Sequence, residues 1–258
     1  MLVPGDSLDL GVNPEACARK RVKRVKRVNP IFLPVCRTGD RSHAGRLREQ
    51  RRQQRSERKD RRELNAMPQL LSIQVGLAGR LQIGERTILT AYGKQGVTEA
   101  VPVMPLGLMG DEQADLSVHG GLDKAVYAYP CEHYAYWQAA RREAGLGEID
   151  DSLPGGSLGE NLTLQGLLET GVWAGDVLKF PGCELRVTLP REPCYKFNAA
   201  MGFGRASKRM AQSGFCGFYL PVQTPGMLRA GDLFEVISGR RNVSIPALFA
   251  AKMSKHLR

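Results

Sequence analysis

Between Leu70 and Ile237 no apolar run is long, because Gly, Pro and Asp interrupt the chain at close spacing throughout. Such punctuation excludes long buried helices and favours many short strands. The stretches 70–76 (LLSIQVG), 86–92 (RTILTAY) and 124–129 (KAVYAY) read as strands. Segment 183–189 (CELRVTL) alternates, with Cys183, Leu185, Val187 and Leu189 facing one way and Glu184, Arg186 and Thr188 the other. A period of two is the pleat of a half-buried strand. VWAGDVLKF (172–180) and LRAGDLFEVI (228–237) echo each other, each setting Ala-Gly-Asp before a new apolar run, as a turn into a strand does. Two segments read as helices. Residues 130–145 begin with Pro130 and Glu132, space Tyr134, Trp137 and Ala140 along one face, and stop at Gly145. Residues 204–214 form a shorter candidate. Strands outnumber helices and no βαβ alternation is visible. The expected fold class is therefore mainly β, an antiparallel β-barrel with one or two packed helices.

Residues 1–66 have different physics. They hold 18 of the chain's 37 Lys and Arg but only 8 of its 26 Asp and Glu, so nearly all of the net charge of +11 lies in the first quarter. The runs at 19–28 and 46–64 offer few apolar anchors, and such segments cannot offset the entropy lost on ordering. A disordered or loosely helical basic extension is expected. A nucleic-acid-binding arm is the competing reading; no stacking aromatics interleave these charges, which argues against it. Met67 opens the globular pattern and is a candidate start. The expected organisation is an extension at 1–66, a barrel at 67–240 and a C-terminal helix at 241–258. No apolar run approaches the roughly 18 residues of a membrane helix, and the N-terminus lacks a secretory signal core. A cytoplasmic protein with mostly reduced thiols is expected; Cys17, Cys36, Cys131, Cys183, Cys194 and Cys216 include no C-x-x-C pair.

Three stretches carry polar residues that a barrel core does not need: 107–130, 156–166 and 189–198. In the third, Cys194 lies between Arg191 and Lys196. Nearby positive charge favours the thiolate, the reactive and metal-binding form. Pro190 and Pro193 end the strand, which would leave the thiol at a rim. A buried cysteine acting as a small hydrophobe is the bland alternative, and Cys183 fits it better. In the first stretch, His119, Gly120, Gly121 and Lys124 follow Asp111 and Asp115. Paired glycines let backbone N–H groups approach an anion, which His119 and Lys124 could also bind. His133, on the expected helix, is read as structural. In the second stretch, Glu160-Asn161 follows Gly159; an asparagine can donate to and accept from a heterocycle edge, or close a turn.

Taken in order, GDEQAD…VHGG.DKAV..YP.EHY.YW, GENL...GL.E..V..GD and R.PCYK.N resemble the MOSC domain family, most closely its YiiM-type bacterial members, over residues 76–237. The resemblance implies a β-barrel that binds the molybdenum cofactor (molybdopterin) or carries sulfur on a single family cysteine, here Cys194. It implies reduction of N-hydroxylated compounds, such as hydroxylaminopurines, to amines, with electrons from a separate flavin or iron–sulfur reductase. Cys194 would be the catalytic thiolate and metal ligand. Arg191, Lys196, His119, Lys124, Asn161 and the Gly120-Gly121 backbone are the candidate cofactor-binding groups. Asp115 and Glu160 would hold pterin N–H groups or orient the basic residues. The alternative is a non-catalytic cofactor or persulfide carrier. Pyridoxal phosphate is associated with the family only through fused sulfurase relatives, and no lysine motif here argues for it. YiiM-type proteins continue into a small helical domain suited to partner docking or a homodimer contact; residues 242–258 correspond to about one helix of it.

Overall fold

The computed structural model describes residues 67–83, 85–114, 120–147 and 152–255. The basic segment 1–66, with Cys17 and Cys36, lies outside the described residues, as do the candidates Asp115 and His119. In chain order the strands are β1 (Gln69–Val75), β2 (Gly79–Ile83), β3 (Arg86–Thr90), β4 (Gln95–Val97), β5 (Val101–Met104), β6 (Gly107–Leu108) and β7 (Val126–Pro130). They continue as β8 (Leu162–Gln165), β9 (Val177–Lys179), β10 (Glu184–Arg186), β11 (Phe218–Leu220), β12 (Val222–Thr224), β13 (Gly226–Leu228) and β14 (Glu235–Ile237). The α-helices are α1 (Tyr134–Glu143), α2 (Tyr195–Met201), α3 (Ala206–Ser213) and α4 (Ile245–Lys255).

One sheet runs β11-β7-β8-β1-β4 and another β12-β10-β9-β14. Two seams join them. At the first, Thr188 N donates to Tyr219 O (3.0 Å), Tyr219 N donates to Leu189 O (2.8 Å), and Pro190 bridges Phe218. At the second, Leu70 N donates to Asp232 O (2.9 Å) and Gln69 bridges Leu233. The strands thereby close into a barrel, with β4 and β12 left as outer strands. Among the described residues every strand pair is antiparallel except β7–β8, whose crossover connection contains α1. This βαβ unit is absent from the sequence pattern because the described residues between α1 and β8, 144–147 and 152–161, carry no regular element.

Leu70 and Ile73 both lie in the core, although strict alternation would separate them. A register shift between Leu70 and Ser72 reconciles the two, as a bulge does. All of β7 is buried, since α1 covers the face that the barrel does not. Trp137 and Ala140 of α1 are fully buried, and Trp137 Nε1 donates to Tyr129 Oη (2.6 Å). The twin Ala-Gly-Asp turns are real structural repeats. Gly175 and Gly231 take φ of 93° and 95°. In each turn the Asp carboxylate accepts from the backbone N–H three residues earlier, Trp173 to Asp176 (3.1 Å) and Arg229 to Asp232 (2.9 Å). The strands that follow pair with each other, Leu178 opposite Val236. Helix α4 buries Ile245 and Phe249 against this body. Among the described residues no helix is long and apolar enough to cross a membrane.

Candidate functional site

The chain leaves the barrel at Pro190 and enters α2 at Tyr195. Cys194 is the N-cap residue between them, in extended backbone. Its carbonyl accepts from Phe197 N (2.9 Å) and from Ser207 Oγ (2.7 Å), so α2 and α3 both fix its position. The side chain is half-buried and lines a cleft of about 670 Å³, counting the space open to solvent. Arg191, Lys196, Lys124 and Asn161 share that cleft. These five sequence candidates come together from three separate parts of the chain.

Arg191 is buried. Its guanidinium carbon lies 4.7 Å from the centre of the Tyr127 ring, 4.9 Å from Tyr92 and 5.6 Å from Phe197. It donates to the carbonyl of Leu158, and no carboxylate among the described residues pairs with it. An arginine has five N–H donors. Tyr92 Oη is the one fully buried side-chain N or O atom without a partner among the described residues, and Arg191 and Tyr92 both line the cleft. Burial lowers the proton affinity of Arg191, while Tyr219 and Cys194 nearby pull it back up.

Across the cleft, Lys94 and Asp111 form an ion pair with almost no exposure. Asp111 also accepts from Gly76 N (2.8 Å) and Asn161 Nδ2 (2.8 Å). Burial lowers the pKa of Lys94 and Asp111 opposes the shift. Asn161 has little capacity left for a ligand. Its amide donates to Gln74 O (3.2 Å) as well as Asp111, and its Oδ1 accepts from Tyr127 N (3.1 Å).

Glu160, Gly120 and Gly121 do not line the cleft. Glu160 is fully buried and organises the preceding turn, accepting from Gly156 N (2.8 Å), Leu158 N (3.0 Å) and the Tyr134 hydroxyl. The Gly121 N–H is taken by Gln113 Oε1 (2.7 Å). A Cβ on Gly120 would stand 2.2 Å from the same oxygen, so any larger residue there would push the Gln113 side chain aside. Gln113, Tyr92, Lys94 and Asp111 therefore belong to the site although they were not among the sequence candidates. Asp111 and Gln113 sit in the GDEQAD motif, so their signal was present; Lys94 and Tyr92 lie in a motif-free loop.

Cys183 and Cys216 are unlike Cys194, being buried. Burial pushes Cys183 up to about 12 and Cys216 higher still, which leaves them as small hydrophobes. His133 is structural, its Nε2 bonded to Glu169 Oε2 (2.7 Å) and its ring stacked on Phe215 at 3.8 Å.

The cleft thus offers one soft thiol among four cations, Lys94, Lys124, Arg191 and Lys196, against two carboxylates, Asp111 and Glu112. That donor set suits a soft metal that arrives with anionic ligands of its own.

The sequence pattern of the MOSC domain matches residues 115–235. The protein YflK of Bacillus subtilis is 34% identical over 188 residues, covering 72% of this chain and 80% of that one. YiiM of Escherichia coli is 34% identical over 179 residues, covering 69% and 77%. A protein described as a reductase from Gibberella moniliformis is 32% identical over 170 residues, covering 65% of this chain and 29% of the longer protein. The crystal structure of YiiM from Geobacillus stearothermophilus superposes with a TM-score of 0.57 at 28% identity, covering 74% of this chain and 86% of that one. That of YiiM from Escherichia coli gives 0.54 at 30% identity, covering 63% and 74%. With a barrel, a thiol-bearing cleft and relatives that all point the same way, this chain belongs to the MOSC domain family.

Proposed function

We propose that this protein holds the molybdenum cofactor in the Cys194 cleft and reduces N-hydroxylated compounds, such as hydroxylaminopurines, to amines. The observation that carries this reading is the setting of Cys194: a half-buried thiol in one cleft with a buried arginine that has no carboxylate partner among the described residues. The reductase description of the Gibberella relative is in keeping with it.

The thiolate of Cys194 would be the protein's ligand to the metal. Arg191, Lys124 and Lys196 would hold the anionic parts of the cofactor, Arg191 through its planar fork. Bound there, the cofactor would supply the two-electron cleavage of the N–O bond. The reaction consumes two electrons and two protons, converting R–NH–OH to R–NH2 and water. The electrons would come from a separate flavin or iron–sulfur reductase. Lys124 and Lys196, which line the cleft, would supply the protons, and the rings of Tyr92 and Tyr127 against Arg191 would limit water around it. Asp111 fixes Lys94 and Asn161, so the cation-rich wall is in place before a ligand enters.

The test is turnover. The full chain, produced in a host that makes molybdenum cofactor, should reduce N6-hydroxylaminopurine with a chemical electron donor. Metal retained without turnover would contradict the enzymatic reading and favour a carrier; a persulfide on Cys194 in metal-free protein would favour sulfur transfer.

A further inference from the structure

A second groove, of about 1160 Å³ with its open space, shares Thr90, Tyr92 and Lys94 with the Cys194 cleft. Its floor is apolar, with Leu81, Leu153, Ala199 and Met201. Its charged lining is one-sided: Arg80, Lys94 and Arg141 are present, and no Asp or Glu appears among the described lining residues. Arg80 is exposed on β2. Arg141 is anchored by one donor, to Met201 O (2.8 Å), which leaves others for a ligand. The turn at Gly155-Gly156 closes one side, and there a Cβ on Gly156 would stand 2.8 Å from Lys94 Cβ. Lys94 thus lines both clefts with its ammonium held by Asp111, and the cations left to this groove are Arg80 and Arg141.

We infer that this groove binds the phosphate of a phosphorylated heterocycle, so that the preferred substrate is an N-hydroxylated nucleotide rather than a free base. The inference rests on the function proposed above and deepens it. The Cys194 cleft already presents Arg191, Lys124 and Lys196 to one anionic ligand. The cations beyond Tyr92 form a second set, and a second anion needs one. A nucleotide has the matching layout: a planar base at one end, a phosphate at the other and a sugar between. Arginine suits the phosphate end, and the apolar floor suits the sugar and ring. The cofactor's own phosphate shares this chemistry, and the experiment separates the two sources.

Metal-free full-length protein is titrated calorimetrically with AMP and with adenosine. AMP should bind about tenfold or more tightly than adenosine, as one or two charge-assisted contacts require. Arg80→Ala and Arg141→Gln should each remove most of that difference. In the loaded enzyme, Arg80→Ala should raise KM for N6-hydroxy-AMP and leave KM for N6-hydroxyadenosine and the molybdenum content unchanged. Equal binding of AMP and adenosine would overturn the inference. Loss of molybdenum in Arg80→Ala would overturn it too, by assigning the groove to the cofactor. If AMP discrimination holds but no N-hydroxylated compound is reduced, the phosphate site stands and the proposed reaction falls.

Discussion

Lys94 and Asp111, 17 residues apart, form an ion pair in the cleft wall with 6% and 5% of their side chains exposed. Each charge would be costly there alone. The carboxylate also fixes Gly76 N and Asn161 Nδ2, so the pair ties β1, the β3–β4 loop and the start of β8 into one unit.

Asp111→Ala should therefore destabilise the protein strongly, by about 3–5 kcal/mol, because it leaves a buried ammonium without its partner. Lys94→Met should cost less, since Asp111 keeps two donors. Urea unfolding of both variants checks the order, and equal losses would contradict it.

Arg191 presents the opposite case. Its burial brings a desolvation cost of several kcal/mol with no carboxylate among the described residues to offset it, and the ring contacts, about 2 kcal/mol each when desolvated, bring the sum back near zero. In metal-free protein Arg191→Met should be as stable as the parent to within about 1 kcal/mol, or more stable. The same variant should lose bound cofactor. A large loss of metal-free stability would mean that Arg191 is there for the fold.

Gly159 takes φ of 83°, and a Cβ would stand 2.8 Å from the Tyr92 ring. Gly145 has a similar φ of 77° with nothing within 4 Å. Both Ala variants carry the left-handed backbone cost of about 1–2 kcal/mol. Gly159→Ala should exceed Gly145→Ala in destabilisation, because it also displaces Tyr92 from Arg191. Thermal unfolding of the pair isolates that excess.

Glu160 predicts a pH dependence. Burial raises its pKa above the 4.5 of a free glutamate, against the hydrogen bonds from Tyr134, Gly156 and Leu158. Between 4.5 and the raised value the native state holds a proton that the unfolded chain has released. Stability from this group therefore falls as pH rises through that window and levels off above it. The stability difference between the parent and Glu160→Gln should shift against the parent from pH 4.5 upward. A difference independent of pH would contradict the assignment.

Much of this was legible in the sequence where the physics is local. The alternation around Leu185 became β10 with Cys183, Leu185 and Val187 buried, and the Ala-Gly-Asp echo became a pair of matched turns. Trp137 and Ala140 face the core as spaced. Helix α2 was not legible: it has 7 residues, follows Pro193 closely and starts at a cysteine that makes no capping hydrogen bond. Standard start signals are absent there. Of the site, the motifs led to Cys194, Arg191, Lys196, Lys124 and Asn161, since each lies in a quoted stretch. Lys94 and Tyr92 escaped because their role depends on packing against Asp111 and Gly159, distant in sequence. Glu160 was assigned to a ligand by its motif, yet its carboxylate is spent on the turn beside it.

The most direct test of the account is the molybdenum content of the purified full chain and of Cys194→Ser, both made in a cofactor-producing host. The account predicts stoichiometric molybdenum in the parent and near-complete loss in Cys194→Ser, with both proteins folded. Molybdenum retained undiminished in Cys194→Ser, or absent from the parent, would contradict it.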